Sequence, residues 1–268
     1  MVCAEMEEGD ADYKGQNFMG FYSVLLVASF LFISGSMLGW VTEVLFRRIF
    51  TAKKWINPGF LTGPYLPLYG FGIVGLFAIS FLPVYTGYRW LDDVIIILIM
   101  GGAMTLIEYI AGLIFIKGMK IKLWDYSDRW GNVQGIICPL FSLFWLIVAA
   151  FYYFIIRIYA IDAVIWFVEN IEFSFIVGLF LGIFLVDLGH SIDLSAKIRK
   201  FAKERKIVVS FEKLKESVRE KIEQLEHKKA SFIFPFKSGR SLSENLQSYT
   251  DRNHGDKVEN DDSNNDKK

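Results

Sequence analysis

Apolar residues in this chain come in long blocks, and a run of about 18 or more leaves few folds open. In a lipid bilayer every backbone N–H and C=O must be paired within the protein, which restricts spanning segments to helices and closed barrels. Five such blocks occur, at about 20–46, 65–85, 94–116, 135–156 and 172–191. Each reaches the roughly 20 residues that a helix needs to cross a ~30 Å hydrocarbon layer. The expected fold class is therefore all-α, a polytopic membrane bundle of five transmembrane helices within 19–194. A chain of 268 residues that is 53% hydrophobic and 16% aromatic is too apolar for an ordinary soluble domain. Its formal net charge of zero averages unlike segments and gives no sign of a nucleic-acid partner.

Lysine and arginine placement sets the orientation. The loop after the first block carries Arg47, Arg48, Lys53 and Lys54, and the loop after the third carries Lys117, Lys120, Lys122 and Arg129. The segment after the fifth begins with Lys197, Arg199, Lys200, Lys203, Arg205 and Lys206. The second and fourth loops offer only Arg89 and Arg157 among Asp92, Asp93, Asp162 and Glu169. The N-terminus is expected outside and the C-terminus in the cytoplasm. Residues 1–18 are acidic, unlike the basic start of a cleavable secretory signal. Cys3 and Cys138 are expected on opposite sides, so no disulfide framework arises. Walker A, G-x-S-x-G and zinc-cluster motifs are absent from the sequence, so any ATP would be bound by another chain.

Gly35, Ser36 and Gly39 in the first block, and Gly178 and Gly182 in the fifth, make small faces suited to close helix packing. Trp40, Trp55, Trp90, Trp124, Trp130 and Trp166 fall near block boundaries, as an aromatic belt would. Residues 195–231 predict a cytoplasmic amphipathic helix, with Phe211, Leu214, Val218, Ile222 and Leu225 on one stripe. It could pair with a second copy, dock on the bundle, or lie on the anionic inner leaflet, the last being the default for a basic segment beside a membrane. The polar stretch 232–268 is expected to be disordered.

Acids within apolar blocks are costly, about 2.5–3.5 kcal/mol at a helix centre on the lenient insertion scale. Glu43 lies one turn from Arg47 and could pair with it, or serve function. Glu108 is about 13 Å along its helix from Lys117, with no basic residue within a turn. It must face a cavity, the bundle interior or a partner on another helix. Asp187, His190 and Asp193 recur every three residues near the end of the fifth block, where the first two could share a proton or hold a metal. Two ligands on one helix are too few for a metal site without others.

The densest helix-breaking stretch is 57-NPGFLTGPYLPLYG-70. Asn57, Pro58 and Gly59 predict a turn, and Pro64 and Pro67 suit the first turns of a helix. Phe60, Leu61, Tyr65 and Leu66 are too apolar for an exposed loop. Irregular backbone at membrane depth is tolerated where it is buried in protein or lines a cavity, and transporters use such breaks to bind substrates and ions. A second cluster, 123-LWDYSDRWGN-132, is expected on the same side. The two loops, with Glu43 and Glu108, predict an inner-leaflet polar vestibule with Asp125 and Asn132 facing Asn57.

The motifs GW-x-x-E (39–43), W-x-N-x-GFL-x-GP-x-LP-x-YG-x-G (55–72), Glu108-Tyr109 and LWDYS (123–127) occur in that order over roughly 20–150. V-D-x-x-x-S at 186–191 follows them. This set resembles the ABC-transporter type IV family, bacterial multipass membrane proteins. The resemblance implies a permease-like or accessory transport component of the bacterial cytoplasmic membrane, paired with an ATP-binding cassette subunit or driven by an ion gradient. Five helices are few for one pathway, so a homodimer is also implied. The residue reading and the resemblance together single out Glu43, Asn57, Gly59, Gly63, Pro64, Pro67, Glu108, Trp124, Asp125, Tyr126, Asn132, Asp187 and His190 as candidate functional residues. The chain departs from the family where an acid usually precedes LWDYS, having Phe115, Ile116 and Lys117 instead. Where the family tends to G-R-I, it has Gly135, Ile136 and Ile137. Two other classes compete. One is an intramembrane enzyme acting on a lipid-linked substrate, with Glu108, Asp125, Asp187 and His190 as acid–base groups. The other is a scaffold or signalling subunit working through the amphipathic helix. No cofactor is indicated.

Overall fold

The computed structural model describes residues 2–51, 57–205, 207–226, 242, 244–247 and 250. Expectations for Lys53, Lys54, Trp55 and Lys206 lie outside these residues, as does nearly all of 232–268. The side chains of 2–19, Cys3 included, are likewise not described.

The described residues are 78% helical. Its helices are α1 (Val2–Phe46), α2 (Pro67–Ile79), α3 (Arg89–Leu113), α4 (Pro139–Phe151), α5 (Arg157–Glu169), α6 (Ser174–Glu204) and α7 (Phe211–Glu226). Wide π-helical turns extend α1 over Arg47–Thr51 and α3 over Ile114–Met119, and another, Tyr152–Ile156, joins α4 to α5. Four of the resulting helices are long and apolar enough to cross a membrane: Gly20–Ile49, Arg89–Met119, Pro139–Glu169 and Ile171–Glu204.

The expected helix at 65–85 differs. α2 has 13 residues, about 20 Å at 1.5 Å per residue, against the ~30 Å of a hydrocarbon layer. Leu66 is extended, as a residue before proline must be, and Pro67 starts the helix where its missing N–H costs nothing. At the other end Ser80 Oγ donates to the Phe77 carbonyl, and Pro83 forbids continuation.

Two compact units divide the chain. The first comprises 1–41, 65–107 and 139–186, and the second 42–64, 108–138 and 187–268. In the first unit α2 packs closely on α1. A side chain at Gly35 would meet Ile73 at 2.8 Å, and one at Gly70 would meet the Phe32 carbonyl oxygen at 2.6 Å. The Leu66 N–H also reaches the Ser36 carbonyl at 2.9 Å. The core of this unit gathers Leu76, Ile96, Met100, Met104, Ala149 and Tyr152. Phe30 stacks on Phe167, and Phe32 and Tyr65 meet Phe184 edge-on. The small face of α1 therefore packs as expected. Gly178 and Gly182 do not, because added side chains there would meet nothing within 4 Å among the described residues.

The second unit joins helix ends, two loops and α7. Lys120 adopts the left-handed conformation (φ 59°) and turns the chain out of the α3 extension. Strand β1 (Ile121–Lys122) then pairs in parallel with β2 (Val209–Ser210), Ile121 opposite Val209. This bridge anchors the start of α7, whose Phe211, Leu214 and Val218 are buried within the unit. The amphipathic stripe is therefore covered by protein at these positions rather than by a leaflet.

Replacing Gly70 with Ala drives a Cβ toward backbone that cannot move aside, so Gly70→Ala is expected to cost about 1–3 kcal/mol. Gly178→Ala, on an open face, is expected to be neutral or slightly stabilising. Thermal unfolding in detergent compares the two, and equal melting points would contradict the α1–α2 packing.

Candidate functional site

Glu43, Glu108 and Asp187 each lie within two residues of where α1, α3 and α6 enter the second unit. Their side chains are engaged in different ways.

Asp187 reaches the segment 57–64. Its Oδ2 accepts the Thr62 N–H at 3.0 Å and the Gly63 N–H at 2.8 Å. Ser191 Oγ, one turn further along α6, donates to Oδ1 at 3.4 Å. At the other end of the segment, Lys215 Nζ on α7 donates to the carbonyls of Gly59 at 2.7 Å and Asn57 at 3.1 Å. Buried Asn57 spans the middle, donating from Nδ2 to the Thr62 carbonyl at 2.9 Å. Gly59 takes φ 79°, a conformation open to glycine at little cost. Phe60 fixes the segment below, its ring 5.0 Å from Phe115 and 6.1 Å from Phe211. Pro58 and Leu61 are buried, Pro64 is exposed, and Pro67 belongs to α2 in the first unit.

A break in helical structure leaves backbone groups that must find partners when buried. Here a carboxylate takes amides and an amine takes carbonyls, so opposite ends of one loop are held by an acceptor and a donor. Lys215 is only 6% exposed, and its Nζ lies 4.7 Å from the centre of the Phe211 ring. Burial pushes its pKa down, the Arg47 charge adds to that, and Glu212 offsets part; the result is about 7. Arg47 is itself held between two acids, donating to Glu43 one turn back (2.8 Å) and to Glu212 across the unit.

Glu108 is 3% exposed and accepts a hydrogen bond from the Tyr126 hydroxyl at 3.0 Å. Tyr126 is carried by a tightly built loop. Trp124 Nε1 donates to the Ile136 carbonyl at 2.9 Å, and the Tyr126 N–H to the Gly135 carbonyl at 2.9 Å. Asn132 donates to the carbonyls of Ser127 and Arg129 and accepts the Gly135 N–H. Asp125 caps Ser127 and pairs with Lys122 at 2.6 Å. Partial burial pushes the Asp125 carboxyl up, but the bonds from Lys122 and Ser127 outweigh it and hold it below its ordinary value. These polar contacts of Asp125 and Asn132 close their own loop.

The Asp187–His190–Asp193 spacing does not become a cluster. Asp187 turns to the 62–63 amides, Asp193 pairs with Lys197 at 2.8 Å, and His190 is exposed. Among the described residues no group of three or more His, Cys, Asp or Glu converges as metal ligands would. Lys215 and Glu212 were missed by sequence reasoning. The available signal was a lysine beside Leu214 and one turn beyond Phe211, on the border of an apolar stripe.

Four helices long and apolar enough to cross a membrane define a multi-pass membrane protein. Residues 30–192 match the family described as Putative ABC-transporter type IV, and the chain belongs to that family. No curated protein and no solved structure matches it.

The Lys215 shift has a defined sign. Its folded-state pKa of about 7 lies below the ordinary 10.5, so the folded protein binds this proton less tightly than the unfolded chain. The stability it contributes is full above pH 10.5 and is lost as pH falls toward 7. The wild type is therefore expected to gain thermal stability relative to Lys215→Met as pH rises from 7 to 9.5. A difference between the two that stays flat over that range would contradict the buried position of the amine.

Proposed function

We propose that this protein is a permease-like or accessory subunit of a transport system in the bacterial cytoplasmic membrane, with the 57–64 loop as its working element. The observation that carries the reading is the clamp: Asp187 on the amides of Thr62 and Gly63, and Lys215 on the carbonyls of Asn57 and Gly59. Broken backbone of this kind presents polar groups to substrates and ions in transporters. A clamp made of two side chains on separate elements can be released by moving either element.

The placement of basic residues supports five crossings with the N-terminus outside: Arg47, Lys117, Lys120, Lys122 and Lys197 follow the first, third and fifth apolar blocks, and the positive-inside rule assigns those connections to the cytoplasm. A return through α3 requires an outward passage through α2 and its flanking residues. α2 is short for a crossing, and residues flanking it in the chain complete that passage. Glu43, Glu108, Trp124, Tyr126 and Asn132 then act as the cytoplasmic frame, with Glu108 the buried acid that couples α3 to the 123–137 loop. The site is completed by a second copy and by an ATP-binding cassette subunit, since the chain has no Walker A motif of its own.

Purifying the full-length protein from its native membranes in mild detergent tests this. The expected result is an ATP-binding cassette subunit at stoichiometric yield. Its ATP hydrolysis should fall about tenfold with Asp187→Asn, within the ~5–150-fold range of typical coupling between sites. Recovery without any ATPase, or hydrolysis indifferent to Asp187→Asn, overturns the reading.

A further inference from the structure

Arg157 begins α5, and its guanidinium lies between two rings, 5.5 Å from the centre of Phe81 and 5.4 Å from that of Tyr153. Aromatic faces attract a cation but accept none of the guanidinium's five N–H bonds in the way a carboxylate does. Its Nε is buried and has no hydrogen-bond partner among the described residues. The hydroxyl of Tyr152, within electrostatic reach of this guanidinium, is buried and unpartnered as well. The nearby acid is already engaged: Asp93 accepts the Tyr153 hydroxyl at 2.8 Å, and no ion pair joins it to Arg157. Arg89 brings a second positive charge within reach of Tyr153. The cluster is therefore an excess of cation with unused donors, held in place by rings, and buried donors without partners point to an ion that completes them.

Position selects the kind of anion. Arg157 is about 27 Å along its helix from Pro139, close to a hydrocarbon thickness at 1.5 Å per residue. That places it at headgroup depth at the end of the span away from Pro139, the end that the positive-inside rule assigns to the outer side. Its surroundings are greasy and open, with Phe154, Ile155, Ile158 and Tyr159 all exposed. A planar guanidinium matches the oxygens of a phosphate with paired N–H bonds.

We propose that Arg157, with the Tyr152 hydroxyl and Arg89, binds the phosphate of an anionic phospholipid in the outer leaflet, whose acyl chains lie along the exposed face of α4 and α5. This site is separate from the 57–64 clamp and does not depend on the transport reading. The test uses the full-length protein in detergent, given phosphatidylglycerol, phosphatidylcholine or inorganic phosphate in parallel. Bound lipid is read by native mass spectrometry, and stability by thermal unfolding. Phosphatidylglycerol is expected to remain bound to the wild type and raise its melting point, with the other two doing neither. Arg157→Gln is expected to lower the retained lipid about tenfold, the scale of a charge-assisted hydrogen bond, and the exposed-site control Arg199→Gln to leave it unchanged. Equal stabilisation by inorganic phosphate, equal retention of phosphatidylcholine, or undiminished lipid on Arg157→Gln overturns the proposal. The wild-type comparison decides alone should Arg157→Gln not fold.

Discussion

Buried backbone that is not helical must find its hydrogen bonds elsewhere, and the 57–64 segment meets that demand with two side chains, one accepting and one donating. The Asp187 carboxylate takes two amides and the Lys215 amine takes two carbonyls. Everything else in the second unit follows from placing those two groups. α6 must bring Asp187 to the 62–63 turn, and α7 must bring Lys215 to the 57–59 turn. The parallel bridge between Ile121 and Val209 fixes where α7 begins. Removing one partner of such an arrangement strands polar groups in a medium that cannot solvate them, so the clamp is far costlier to break than it was to form.

The long helices could be read from the sequence because an apolar run of membrane length has few other solutions. The Glu43–Arg47 pair was equally legible, being a local consequence of helical spacing. α2 was not, since hydropathy averages over Ser80 and Pro83 and does not register that the helix stops at Ile79. The Asp187–His190–Asp193 spacing suggested a cluster, but spacing says only which residues share a helix face, not what the face meets. Asp187 meets residues 62 and 63, and Lys215 meets 57 and 59, pairings across more than a hundred positions that no periodicity encodes. Glu108 needed a partner on another element, and Tyr126 is that partner, yet nothing in the order of residues selected this tyrosine.

The clamp also joins parts of different standing. The family match ends at residue 192, so the loop and Asp187 lie within it, and Lys215 lies beyond it. The amide end of the clamp belongs to what this chain shares with its family, and the carbonyl end is supplied by the following segment. A pKa near 7 suits that second role. A neutral amine still has two N–H bonds to give to two carbonyls, and it avoids the desolvation cost of a full charge beside Arg47. Protonation strengthens those bonds but restores the cost. Protonation of Lys215 thus acts on the tail contact, whereas the Asp187 contact rests on residues within the family match.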